Sequence, residues 1–308
     1  MTISLILIKK IASLFLIILS GYLLVRLKLL RASDSNIISV LTLYLITPCM
    51  IITSFEVDFT PDVLSGLLLA VGAAALSEGM LILLTALLSR FFHFQPVEKD
   101  SIIFSNCGNL IIPLVVAMLG PEWVIYSSAY IAVQLLLLWS YGKAVLCGER
   151  KPDIRKVLTN VNMISIFIGV VFFITGIRLP SIAQDAADSL GSMIGPASML
   201  VTGMLIADMD LMKYLKSPRL WLCVALRLLI LPALVMLPLR FSGLSSLAAN
   251  GETILLITLL ATVAPSASNI TQMAQVFGGD AGYASAINVV TILLCIITMP
   301  LFVTLYML

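Results

Sequence analysis

The sequence predicts an all-α membrane protein: ten transmembrane helices arranged as two inverted five-helix repeats, with helices four and nine broken and crossed. Three observations predict it. Of 308 residues 60% are hydrophobic and only 11% charged, and the mean hydropathy is +1.12, beyond what a domain with a water-covered surface carries. A bilayer core of about 30 Å takes roughly 20 apolar residues per helix, so this length accommodates about ten spans with short connections. Prolines also recur at nearly one offset: Pro48 and Pro196 are 148 residues apart, and Pro113 and Pro265 are 152 apart. An internal repeat with an odd number of spans must insert its second copy upside down.

Breaking the hydropathy at charges and turn residues places spans near 5–25, 37–55, 63–89, 102–119, 124–147, 163–179, 190–206, 220–239, 254–276 and 284–307. The first run follows Lys9 and Lys10 but continues into Arg26, Lys28 and Arg31 with no A-x-A-like site, so it is a membrane span and not a cleaved leader. The second span, ITPCMIITSFEVD, and the seventh, IGPASMLVTGMLIADMD, carry the first proline pair. Between the halves runs the longest charged loop, GERKPDIRKVLTNVN at 148–162, which separates a first repeat at 1–147 from a second at 163–308.

Placing alternate loops on the same side collects thirteen Lys and Arg residues, among them Arg31, Arg90, Lys99, Lys143, Arg155 and Arg219. Opposite them stand four: Lys9, Lys10, Arg178 and Arg240. The positive-inside rule then puts the first group in the cytoplasm and both termini outside. Trp123 at the outer mouth and Trp221 at the inner one suit the interfacial belts. Cys49, Cys107, Cys147, Cys223 and Cys295 form no CxxC pair and have no histidine near them, which argues against disulfides and zinc. No metal site or bound cofactor is expected, and a net charge of +2 gives no reason to expect nucleic acid.

Two spans are less apolar than the rest, each the fourth of its half: SNCGNLIIP at 105–113 and ATVAPSASNITQ at 261–272. A proline in a helix supplies no N–H and displaces the carbonyl four residues earlier, so Pro113 frees Asn109 and Pro265 frees Ala261. Gly108, Ser266 and Ser268 ease unwinding beside them. Asn106, Asn109 and Asn269 bring amides to the breaks, and each half-helix start adds a partial positive charge. Crossed at the midplane, the two breaks form a polar, slightly electropositive pocket with no fixed cation, suited to a carboxylate. Prolines 48, 196, 232, 238 and 300 read as ordinary kinks.

Intramembrane charge is the second signal. Glu78 in LSEGMLILL costs about 3 kcal/mol or more if ionised and unpaired. The residues leave it open between a proton or cation site and a structural carboxylate bonded to a neighbouring helix. Arg227, about two turns into the eighth span, is expected to snorkel to the cytoplasmic face. Gln134 in the fifth span either faces the pocket or bonds a neighbouring helix, and His93 lies in a solvated loop.

These residues resemble the auxin efflux carrier family, which includes the plant PIN exporters and shorter bacterial permeases for small carboxylates. The resemblance covers essentially the whole chain and is most specific in APSASNITQMAQVFGGDAGYASAINVVTILLCIITMPLF at 264–302 and NCGNLIIPL at 106–114. It implies ten helices with external termini, scaffold and transport domains, elevator-type movement and a homodimer. The implied substrate site comprises Asn106, Asn109, Pro113, Gln134, Pro265, Ser266 and Asn269. Glu78 is the only candidate for the buried acidic residue of the family's scaffold. Within that resemblance, the short loop at 148–162 points to a bacterial inner-membrane member.

The leading functional expectation is a secondary transporter of small organic anions such as malate, malonate or auxin-like acids, with H+ or Na+ left open as coupling ion. The alternative is a sodium-coupled symporter of the bile-acid type, since antiporter-like and bile-acid-symporter-like folds share the inverted plan. An intramembrane hydrolase needs a serine with a base, paired aspartates or metal ligands within the spans, and the sole histidine is in a loop. No catalytic residue is therefore assigned, and enzyme activity is not expected.

Overall fold

The computed structural model describes residues 3–56, 61–120, 123–148, 155, 158–159, 161–208 and 211–308, without the side chains of 3–11, 54, 61–63, 109, 113, 116–117 and 211. Most of the connecting loop expected at 148–162 lies outside the described residues. Every regular element described is a helix. In chain order they are α1 (Ile3–Arg26), α2 (Ala32–Thr53), α3 (Pro61–Phe92), α4 (Pro96–Ile103), α5 (Cys107–Met118), α6 (Val124–Leu146), α7 (Val161–Thr175), α8 (Ser181–Asp208), α9 (Leu211–Leu215), α10 (Pro218–Phe241), α11 (Gly251–Val263), α12 (Ser268–Phe277) and α13 (Ala281–Met307). Six of them, α2, α3, α6, α8, α10 and α13, are long and apolar enough to cross a membrane.

Both spans read as interrupted are two separate helices. The fourth is α4 and α5, joined through extended residues at Phe104 and Ser105. The ninth is α11 and α12, joined across Ala264–Ala267. One expectation is corrected. The fourth span unwinds at 104–106, before Asn109 and Pro113, whose backbone lies inside α5. The charged stretch around Glu98, Lys99 and Asp100, expected as a cytoplasmic loop, is α4 itself, started by Pro96 at its first position and by a Gln95–Glu98 capping box.

Two of the prolines within the long helices are accommodated by widened turns. A π-turn at Thr42–Ile46 precedes Pro48, and another at Leu226–Ile230 precedes Pro232. The wider turn gives room to the carbonyl that a proline ring would otherwise strike. It also swings Arg227, within the second of them, to full burial.

The helices pack in two groups. One contains α1, α2, α7 and α8, and the other contains α3 to α6 and α10 to α13. In the first, α1 lies along the second half of α8. A Cβ on Gly21 would collide with the Leu200 carbonyl, and one on Gly203 with the Ile18 carbonyl. Small residues let membrane helices gain dispersion contact where no water is released to drive association. The second group holds most of the buried core, including Leu81, Phe104, Tyr130, Trp139, Leu228 and Ile257.

Candidate functional site

The two breaks lie against each other as a single antiparallel β-bridge, Ser105 opposite Ser266. The Asn106 N–H donates to the Pro265 carbonyl (2.8 Å) and the Ala267 N–H to the Phe104 carbonyl (3.0 Å). In this pairing the bridged residues' own N–H and C=O groups point away from each other. They need other partners, because an orphaned polar group in such a core costs about 1–3 kcal/mol.

Each serine is held by the long helix that comes after its interrupted span. Gln134 on α6 reads Ser105 as one amide reads another: its Nε2 donates to the Ser105 carbonyl (2.8 Å), and its Oε1 accepts from the Ser105 N–H (2.9 Å) and Oγ (2.8 Å). On α13, Asn288 Nδ2 donates to the Ser266 carbonyl (2.6 Å), and Thr291 Oγ1 accepts from the Ser266 N–H (3.1 Å). Asn288 and Thr291 were missed in the sequence. The signal was there, as two polar residues inside the apolar run of the tenth span.

Arg227 corrects another expectation. It does not snorkel to the cytoplasmic face but lies fully buried under the breaks. Its Nε and one terminal nitrogen donate to the Ala264 carbonyl (3.0 and 2.8 Å). That nitrogen also donates to Thr262 (2.7 Å), and the other donates to Ile102 (3.1 Å) and Ile103 (2.9 Å). These are carbonyls at the C-terminal ends of α4 and α11, which have no partner within their own helices. The planar five-donor guanidinium matches such a set as an ammonium cannot. The crossover therefore does contain a fixed cation, placed at the negative ends of two helix dipoles.

On the other side of the bridge, α5 and α12 begin. Neither start has a side-chain cap: Asn106 and Ala267 stand at the N-cap positions without one. The first N–H groups of a helix have no intrahelical partners. Residues at both starts, Asn106, Cys107, Gly108, Ala267 and Asn269, line one cavity with Ser105, Ile131, Gln134 and Leu135. Met50 of α2 and Ile194 of α8 close it from the other helix group. Its free space is about 20 Å³, room for about one water molecule. Of the residues expected at a substrate site, the structure brings Asn106, Gln134 and Asn269 together here. The Gln134 amide is engaged with Ser105, and Pro265 and Ser266 lie in the bridge behind. The side chains of Asn109 and Pro113 are outside the description.

A sequence model of a family described as membrane transport protein matches residues 6–153 and 150–303, nearly the whole chain. The chain belongs to this family, that of the auxin efflux carriers. It matches no curated protein. A family of transporters and at least six membrane-capable helices make the protein a multi-pass membrane transporter.

The buried acids of this auxin efflux carrier family member are more numerous than its sequence suggests. Glu78 on α3 is fully buried and accepts from the Tyr130 hydroxyl through Oε1 (2.8 Å), with Thr262 Oγ1 3.4 Å from that hydroxyl. Among the described residues it forms no ion pair with Arg227, and its Oε2 has no partner. Nor is Glu78 the only buried acid. Glu98, fully buried on α4, accepts from Arg219 of α10 (2.7 Å to Oε2) and from the Tyr283 hydroxyl of α13 (3.1 Å), and Asp100 is buried beside it. His93 is exposed at the end of α3, as expected. Among the described residues no three His, Cys, Asp or Glu side chains converge on a metal position.

Proposed function

We propose that this chain is a secondary transporter of small organic anions, working by alternating access about the crossed breaks. The arrangement at the crossover carries the reading. Two helix N-termini without side-chain caps face one cavity, while Arg227 covers the opposing C-terminal carbonyls, so the negative ends are neutralised and the positive ends set the potential in the cavity. A carboxylate there accepts from backbone N–H groups and from the amides of Asn106, Asn109 and Asn269. The apolar side chains of Met50, Ile131 and Ile194 meet the rest of the anion.

The wider proposal has ten spans in two inverted repeats, external termini in an inner membrane, elevator-type movement of one helix group past the other, and a homodimer. Glu78, which reaches the break through Tyr130 and Thr262, is one candidate proton or coupling-ion site. A ligand that binds only the folded state raises its stability, by about 2.7 kcal/mol at one hundred times its Kd. Purified protein in a thermal-shift screen against malate, malonate, lactate and indole-acetate is expected to rise in Tm with at least one of them, and Asn269→Ala is expected to lose that rise while keeping its own unfolding transition. No shift with any carboxylate, or an equal shift in the variant, argues against the site.

A further inference from the structure

Asp100 is a buried carboxyl that the crossover does not use. α4 is enclosed by α3, the end of α6, α10, α12 and α13, and Asp100 on it is fully shielded from solvent. Among the described residues neither of its carboxyl oxygens has a hydrogen-bond partner, and the adjacent Ser101 hydroxyl has none either. Glu98, half a turn earlier, is the opposite case: its oxygens accept from Arg219, Tyr283 and the Gln95 N–H.

The charged groups on the surrounding helices are committed elsewhere. Arg219 and Tyr283 bond Glu98, and Arg227 caps the broken helices. Lys143 of α6 sits over the Phe277 ring at 5.1 Å. Arg90 and His93 at the end of α3 are exposed, Cys223 of α10 borders Glu98, and α12 has no titratable residue. Lys99, on the same helix, and Tyr141 of α6 lie near enough to act on Asp100 electrostatically. An ionised carboxylate without donor, water or paired cation is far more costly to bury than the neutral acid. A metal ion is the poorer occupant, since no cluster of ligating side chains converges among the described residues.

We propose that Asp100 is a proton-carrying carboxyl. It is neutral in the enclosed conformation, and it releases its proton to water beside Arg90 and Lys99 when α4 shifts among the helices of its own group. A proton from that water returns to it as α4 settles back. Its service as the coupling group rests on the transporter reading; its neutrality does not.

Two measurements on the full chain separate these parts. Infrared difference spectra of purified protein across a pH step are expected to contain the carbonyl stretch of a protonated carboxyl that disappears in Asp100→Asn and returns, shifted, in Asp100→Glu. In proteoliposomes with radiolabelled malonate as probe, Asp100→Asn is expected to keep malonate exchange within about twofold of the parent and to lose about tenfold or more of pH-gradient-driven accumulation. Asp100→Glu retains both. A spectrum that Asp100→Asn leaves unchanged overturns the neutral carboxyl, and undiminished gradient-driven accumulation in that variant overturns the coupling role. If the parent exchanges no malonate, the transport reading loses support while the infrared result still decides whether Asp100 holds a proton.

Discussion

At the residue scale, the crossover depends on side chains distant in sequence that replace the hydrogen bonds two helices give up. Arg227 covers four orphaned carbonyls, those of Ile102, Ile103, Thr262 and Ala264. Replacing it by Met leaves them unpartnered at about 1–3 kcal/mol each, so Arg227→Met is expected to cost about 4 kcal/mol or more. Arg227→Lys keeps the charge, loses the fork, and falls between the two. Denaturant unfolding in detergent micelles checks the order; a stable Arg227→Met variant contradicts the role. The sequence exposed part of this site. Pro265 and Asn269 stand where the ninth helix breaks, because a proline marks the break from within the segment itself. The fourth helix gives no such mark at 104–106. Its unwinding is held from outside, by Gln134 and Arg227, and Pro113 lies beyond it in a continuous helix. Arg227 was misplaced because its distance from the membrane edge fits snorkelling, and only the π-turn at Leu226–Ile230 turns it inward.

At the element scale, close approach of helices substitutes for the water release that assembles soluble cores. Gly203 on α8 meets the Ile18 carbonyl of α1, and Gly21 on α1 meets that of Leu200, so the contact is backbone against backbone at both points. A side chain there can be housed only if the helices separate. Gly203→Leu is therefore expected to destabilise the α1–α8 pair by about 2 kcal/mol or more, read as a lower Tm, while the distant Gly72→Leu, whose Cβ meets no atom within 4 Å, leaves it nearly unchanged. Equal effects of the two substitutions contradict the packing. Such a requirement is legible in sequence only as a scatter of small residues. Hydropathy located the long apolar helices well, but it assigned α4 to a loop because Glu98, Lys99 and Asp100 look solvated until Arg219, Tyr283 and the surrounding helices are seen to bury the two acids.

At the scale of the whole molecule, the cavity lies where the two helix groups meet. α5, α6 and α12 supply its polar wall, and α2 and α8 its lid through Met50 and Ile194. Polar ties among the described residues join the groups across it. Gln275 of α12 donates to Ser35 (2.7 Å) and accepts from Ser39 (2.8 Å) of α2, and Gln272 donates to Ser198 (3.0 Å) of α8. With room for about one water, the cavity must open before it admits an organic anion under the proposed function, and the alternating access proposed for it requires opening to each side in turn. Cys107, buried at the first position of α5 and lining the cavity, reports this directly. In the full chain with Cys49→Ala and Cys147→Ser, a membrane-impermeant maleimide applied from either face of sealed vesicles is expected to label Cys107, and labelling from one face only, or from neither, would contradict the central claim.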